Sequence, residues 1–170
     1  MAYSTIATFT TGETVTAAKM NQVKDDIDYL YTGSGARVYN NADISIANAT
    51  TTALTFNTER FDTETYHSTS SVTGRLVAPV AGLYLITGHI RFAANATGER
   101  RLMITFGGTT DIAYVSHSNS AAIITLMSIA TIYQMSATNY VELRAYQSSG
   151  GSLNVEAIGN YSPEFSIVRL

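Results

Sequence analysis

Alternating apolar and polar residues run through most of this chain, with the period of two that is typical of β-strands. Segment 82–92 shows it most clearly, since one predicted face carries Tyr84, Ile86, Ile90 and Phe92. In the next strand Arg100 shares a face with apolar residues, so we expect it at the open end of that strand. Turns rich in Gly and Ser, such as 107–108 and 148–151, separate the strands. The pattern predicts an all-β jelly-roll sandwich of about ten antiparallel strands.

Segment 121–133 differs from the other strands because apolar residues occupy both of its faces. One face carries Ile124, Leu126 and Ile132, and the other carries Ile123, Met127, Ile129 and Tyr133. A strand with two apolar faces is covered on both sides. In a sandwich one cover is the core, so the other is a neighbouring element or a neighbouring chain. As candidates for the face that meets a second copy we take Ile123, Met127, Ile129 and Tyr133.

One segment, at about 16–31, has the helical period instead. Thr16 is a suitable N-cap, and the apolar residues that follow at spacings of three, four and three are Met20, Val23, Ile27 and Leu30. This narrow seam is typical of a coiled coil, although a helix this short is marginal alone. The helix therefore lies on its own β-domain, docks on another protein or joins copies of itself; we favour docking or a bundle.

The Gly- and Ser-containing stretch 32–35 interrupts the helical pattern. We therefore predict an N-terminal attachment segment, residues 1–35, followed by a head domain, residues 36–170.

Composition supports self-association and excludes several partners. Charged residues make up only 14% of the chain, against about 25% in typical soluble domains. Either Thr, Ser and Asn coat the surface, or much of the surface lies inside an oligomer, which we favour. The net charge of −3 provides no basic field for nucleic acid or an anionic membrane. No apolar run reaches the ~18 residues that a membrane helix requires, so we expect no membrane insertion.

The N-terminus lacks the basic start and apolar core of a signal peptide. We therefore expect synthesis in a cytoplasm and release by a route other than general secretion.

No arrangement of residues predicts an active site. The chain has three histidines and no cysteine, and none of the histidines has a second metal ligand at a suitable spacing. Ser116 and His117 are adjacent and point apart, so they do not form a catalytic pair. Asp43, Asp62 and Asp111 are isolated in the sequence. We predict no catalytic residue, no cofactor and no metal site.

The strand region resembles the complement one-q globular-head and tumour-necrosis-factor-like jelly-roll superfamily. Five segments carry the resemblance in order: 54–57, 61–63, 75–86, 139–150 and 162–168. The superfamily is trimeric, so the resemblance implies a homotrimer, which accounts for the two-faced strand and the helix seam together. No calcium ligands transfer residue by residue.

Segment 9–21 resembles the start of many tailed-bacteriophage structural proteins. There, Thr-Gly-Glu-x-x-Thr-Ala-x-x-(Leu/Met)-Asn precedes a short helix, and this chain matches it from Thr11 to Asn21. The resemblance implies a tail-fibre, spike or head-fibre protein on the outside of a virion, on its tail or capsid. Its N-terminal segment then attaches to another virion protein.

Three functions follow from these observations. The first is a non-enzymatic, homotrimeric fibre or spike tip that binds a host surface glycan or protein with the avidity of several sites. Because binding residues concentrate in loops, the candidate receptor contacts are Tyr66, His67, His117 and Asn119. The second is a capsid decoration, head-fibre or tail-collar protein without a receptor role. The third, and least supported, is a small glycan hydrolase, which needs two carboxylates about 5–10 Å apart in a groove.

Overall fold

The computed structural model describes residues 8–170, apart from the side chains of residues 29, 30 and 32. The chain forms two compact units, one ending at Ser34 and the other spanning Gly35–Leu170. The first contains helix α1 (Ala17–Thr32). The strands of the second are β1 (Gly35–Tyr39), β2 (Ile44–Ile46), β3 (Thr52–Ala53), β4 (Thr58–Asp62), β5 (Arg75–Val77), β6 (Gly82–Phe92), β7 (Glu99–Phe106), β8 (Thr110–Ser118), β9 (Thr125–Met135), β10 (Tyr140–Gln147), β11 (Leu153–Val155) and β12 (Glu164–Arg169).

The strands form two antiparallel sheets. Sheet A has seven strands in the order β2-β11-β6-β12-β1-β4, and β9 pairs with the free side of β6. Sheet B has five strands in the order β3-β10-β7-β8, and β5 pairs with β10 beside β3. The predicted all-β jelly-roll sandwich with one short helix is confirmed. The described residues form twelve strands, whereas about ten were predicted. The difference comes from short strands such as β3, which has only two residues.

The hydrophobic core lies between the two sheets. The alternation along β6 is confirmed, since the predicted core residues Tyr84, Ile86, Ile90 and Phe92 are all fully or almost fully buried. Gly88 interrupts this series because the sheets approach closely there. A Cβ atom at Gly88 would lie 2.4 Å from Cδ1 of Leu143 on sheet B.

Arg100 lies at the start of β7, but this strand end is closed, so the expectation of an open end is wrong. Its side chain is fully buried, and its guanidinium donates to the backbone carbonyls of Thr97 at 2.9 Å and Glu99 at 3.1 Å. These bonds replace the water that an exposed arginine would bind. Burial lowers the pKa of Arg100 from its ordinary value. The buried guanidinium therefore holds the backbone of the β6–β7 connection in place.

The helical unit begins with a structured turn. The backbone N–H of Glu13 donates to the carbonyl of Thr10 at 3.1 Å, and the carboxylate of Glu13 accepts from the Lys19 ammonium. That hydrogen bond holds the pKa of Glu13 below its ordinary value. Thr16 caps the helix, since its hydroxyl accepts from the backbone N–H of Lys19 at 3.4 Å. Within residues 8–170, no helix is long and apolar enough to cross a membrane.

Candidate self-association surface

The outer face of sheet A carries an apolar region at one end. Leu85 on β6 lies in register with Ile132 on β9 and with Val168 on β12. Leu83, two residues before Leu85, and Leu170, just past β12, are exposed, as are Ile132 and Val168, whereas Leu85 is half-buried. We call these five residues, Leu83, Leu85, Ile132, Val168 and Leu170, the apolar end of sheet A. Neighbouring apolar side chains of this kind mark interaction surfaces when they form one patch.

Strand β9 adds an unpaired edge to this face. It pairs with β6 along its whole length, and no described strand is hydrogen-bonded to its other side. Leu126 and Ile132 on its outer face are 57% and 58% exposed, and Ile123 and Ile124 just before the strand are exposed as well. A long apolar edge strand associates with other chains unless it is covered or charged.

Polar side chains occupy the middle of the same face. His89 and Thr87 on β6, with Ser128 and Ala130 on β9, line a shallow groove of about 200 Å³. His89 Nδ1 lies 3.0 Å from Ser128 Oγ. Because these polar groups bond to each other, they fit inside an interface at less cost than unpaired groups.

Next to the groove, the buried Glu164 carboxylate forms ion pairs with Arg37 and Arg60. Arg60 also stacks on Tyr39, with 4.3 Å between the guanidinium and the ring centre. One buried carboxylate therefore holds two guanidiniums on sheet A.

The outer face of sheet B has a different chemistry. Arg75 and Arg144 both donate to the carboxylate of Glu142, and Arg101 donates to Glu99. The hydrogen bond from Arg101 holds the pKa of Glu99 below its ordinary value. Both faces therefore carry ion pairs, but only sheet A carries an apolar end as well. The contrast favours sheet A as the face that another chain covers.

The structure corrects which face of β9 is free. Met127 is only 3% exposed and Ile129 is buried, because Met127 lies in register with the core residue Ile90 of β6. Both belong to the core and are unavailable to a second copy, so the prediction is wrong for them. The opposite set, with Leu126 and Ile132, is the exposed one.

The other two candidates from the same set behave differently. Tyr133 is half-buried and packs on Phe106 of sheet B, with 5.1 Å between ring centres. Ile123 precedes β9 and is exposed, so it remains a candidate contact.

The helix seam is exposed in the single chain. Met20 and Ile27 are more than half exposed, and Val23 is half-buried. The side chain of Leu30 lies outside the described residues. The two exposed positions lie one heptad apart, as a coiled-coil contact requires.

Two of the four receptor candidates are not on the surface, so that prediction is wrong for Tyr66 and His67. Tyr66 is fully buried against Tyr84, with 6.2 Å between ring centres. The His67 imidazole is enclosed between the Glu59 carboxylate at 2.9 Å and the Thr73 carbonyl at 3.1 Å.

A single aspartate turns this segment inward. The carboxylate of Asp62 accepts backbone N–H groups from Glu64, Tyr66 and His67. An Asp at the start of a polar stretch is a known turn former. An aspartate at this position is the sequence signal from which the inward turn could have been predicted.

The other two receptor candidates remain near the surface. His117 is exposed, but it belongs to β8 and not to a loop. Asn119 is half-buried, and its amide donates to Thr125 Oγ1 at 2.7 Å and to the Asn95 carbonyl at 3.2 Å. Asn119 thus holds the β8–β9 connection in place. Across residues 8–170, no three acidic or histidine side chains form a group that could hold a metal ion.

Comparison with solved structures identifies the fold. The chain superimposes on murine APRIL with a TM-score of 0.62 at 9% identity, covering 81% of this chain and 99% of that one. Eiger TNF from S. frugiperda gives a TM-score of 0.58 at 12% identity, covering 81% and 92%. The globular domain of the zebrafish complement 1qA protein gives 0.55 at 14% identity, covering 80% and 93%. The fold is a TNF/C1q-like jelly roll. At these identities, the likeness concerns the fold alone.

A viral protein is similar in sequence. An uncharacterized protein of Acanthamoeba polyphaga mimivirus is 31% identical over 93 residues, which covers 52% of this chain and 39% of the relative. The chain thus spans about two fifths of the length of that relative. No protein-family model matches the chain.

Proposed function

We propose that this TNF/C1q-like protein is a non-enzymatic component of a virion surface that assembles as a homotrimer through the outer face of sheet A. The observation that carries the proposal is the exposed apolar end of sheet A beside the unpaired edge of β9. Covering this surface removes apolar area from water and shields the edge from irregular aggregation. The trimeric state is the one that the family resemblance implies.

The viral role rests on two independent similarities. One is the mimivirus relative, and the other is the resemblance of segment 9–21 to the start of tailed-bacteriophage structural proteins. Together they favour attachment of the N-terminal segment to another virion protein. The exposed Met20 and Ile27 on α1 supply an apolar stripe for that attachment or for a bundle of three helices. A tailed phage is the virus class that the N-terminal resemblance favours.

Labelling of virus particles tests the location. Antibodies against the head domain should decorate the exterior of intact virions at regular sites. Finding the protein only in infected-cell lysate, and never on particles, would contradict the proposal.

A competition assay separates a receptor-binding tip from a decoration protein. The purified trimer should reduce adsorption of virus to host cells if the head binds a receptor. Labelled particles whose adsorption is unaffected by the purified protein would instead identify a capsid decoration or collar protein. Sheet B, with its exposed ion pairs, is the surface that such a trimer leaves free for a receptor.

A further inference from the structure

The outer face of sheet B holds three arginines in fixed positions along β10. Arg75 lies in register with Glu142, Arg144 is two residues further along β10, and Arg101 lies in register with Tyr146. Successive positions on one strand face are separated by about 7 Å, so the β10 positions that these arginines occupy or flank, 142, 144 and 146, extend over roughly 14 Å. We propose that this row binds an acidic polysaccharide, with Arg75, Arg101 and Arg144 as the anion-binding side chains.

Stacking and ion pairing preorganise two of the guanidiniums at one end of the row. Arg75 lies over the Tyr140 ring, 3.9 Å from its centre, and its Nε donates to Glu142 at 3.1 Å. Arg144 donates to the other oxygen of Glu142 from Nη2 at 2.7 Å. One carboxylate therefore fixes two cations. Little side-chain entropy remains to be lost when a ligand binds.

The third guanidinium is held between aromatic rings. Arg101 lies 4.5 Å from the centre of the Tyr146 ring and 5.9 Å from that of Tyr114. Its Nη2 donates to Glu99, which also accepts from the Tyr114 hydroxyl at 3.3 Å. The exposed Tyr114 ring stands at the rim of the row, where it offers a flat apolar surface to a sugar ring.

The carboxylates lie deeper than the guanidiniums. The side chain of Glu142 is 9% exposed, whereas that of its partner Arg75 is 37% exposed. Within residues 8–170, Arg75 donates through Nε alone, which leaves four of the five guanidinium N–H groups for a ligand. The three arginines are balanced by three carboxylates on the same face, those of Glu142, Glu99 and Asp111, the last of which accepts from Thr105 Oγ1 at 2.9 Å. The site is therefore defined by exposed guanidinium donors and not by an excess of charge.

An acidic polymer of sugars fits this face better than a protein or a nucleic acid. A protein interface needs a fully buried apolar centre, but the central apolar residue here, Met103, is already covered at 4% exposure. A nucleic acid needs a broad basic field along its phosphate backbone, and three guanidiniums beside three carboxylates do not supply one. Spaced carboxylates or sulfates on a polysaccharide match separated guanidinium forks, and its hydroxyls match the remaining donors.

One step of this inference rests on the proposed function, namely that copies of the chain assemble into a trimer through sheet A. If copies cover the outer face of sheet A, the arginine row of sheet B faces outward three times per trimer. When one of the three equivalent sites binds a repeating polymer, the polymer is held close to the other two sites. The overall affinity of the trimer is therefore higher than that of one site.

Binding to immobilised polymers tests the proposal with the full chain. The probes are alginate and dextran sulfate, with uncharged dextran and poly-glutamate as controls, at low and at physiological ionic strength. We expect salt-sensitive binding to both acidic polysaccharides, and none to dextran. The double variant Arg75→Gln/Arg101→Gln should weaken binding about tenfold for each arginine removed, the loss typical of a charge-assisted hydrogen bond.

A charge-matched control removes two cations outside the row. The double variant Lys19→Gln/Lys24→Gln loses the same charge from the helical unit, outside both sheets of the head, and should bind as the unchanged protein does. Folding of each variant is checked by circular dichroism. If either double variant unfolds, the single variants Arg75→Gln and Lys24→Gln replace the pairs, since their side chains are 37% and 67% exposed.

Four results would overturn the inference: no binding to either acidic polysaccharide, equal binding by the arginine-row variant, equal loss in the control, or equally tight binding to poly-glutamate. The mass in solution separates this failure from failure of the proposed function. A trimer that binds neither polymer contradicts only the polysaccharide site, and a monomer that binds through the arginine row contradicts only the trimer.

Discussion

Ile132→Asp is the substitution that isolates self-association from folding. Ile132 is 58% exposed in the single chain and lies between Leu85 of β6 and the free edge of β9. A charged side chain there remains in water when the chain is alone. In the proposed trimer the same side chain is enclosed by a second copy.

Ile132→Asp should change the free energy of trimer association much more than the folding stability of the single chain. Full burial of an isoleucine side chain contributes about 1.5–3 kcal/mol, so covering the exposed 58% of Ile132 contributes about 1–2 kcal/mol per copy. Burying an unpaired carboxylate adds a penalty of several kcal/mol. The sum is at least about 3 kcal/mol per contact, which weakens association by more than about a hundredfold. The stability of the isolated chain should change by no more than about 0.5 kcal/mol, as for other surface substitutions.

Light scattering after size exclusion, at a series of protein concentrations, measures the association. Val72→Asp is the matched control, because Val72 is 61% exposed in the loop between β4 and β5, and β4 is the edge strand of sheet A opposite β9. We expect Ile132→Asp to shift the protein to monomer with its circular dichroism spectrum unchanged, while Val72→Asp keeps the parent mass. A trimer that persists in Ile132→Asp at low concentration would refute the assignment of this face.

Three further predictions test the helix, the core and a strained loop. Ile27→Asp should reduce trimer stability or virion attachment without lowering the unfolding temperature of the head, measured by calorimetry; a head that unfolds would contradict it. Gly88→Ala should destabilise the head by about 1–3 kcal/mol, because the new Cβ meets Leu143 at 2.4 Å. In chemical denaturation, adding Leu143→Val should recover part of that loss, and additive losses would contradict the close approach of the sheets. Val72 has a positive φ of 49°, so Val72→Asn should raise the unfolding temperature by about 2–4 °C, and a lower value would contradict the strain.

The core was predictable wherever one side of a strand was apolar and the other polar. Strand β6 shows this, because Tyr84 and Phe92 leave only one orientation that removes apolar area from water. Strand β9 has no such asymmetry. Its orientation is decided by the pairing of Met127 with Ile90, a contact between residues 37 positions apart that local pattern cannot contain.

Loop positions were predicted less well for a related reason. Tyr66 and His67 stand in a polar sequence, yet Asp62 turns their backbone inward and Tyr84 and Glu59 complete their contacts. The arginine row of sheet B was also absent from the sequence reasoning. Its members come from β5, β7 and β10, and only the register of the sheet places them side by side.

The mass of the protein in solution tests the central claim most directly. Self-association through sheet A predicts a single species of three times 18.3 kDa that dissociates on dilution or when a contact residue such as Ile132 is substituted. A protein that stays at 18.3 kDa over the whole concentration range would contradict it.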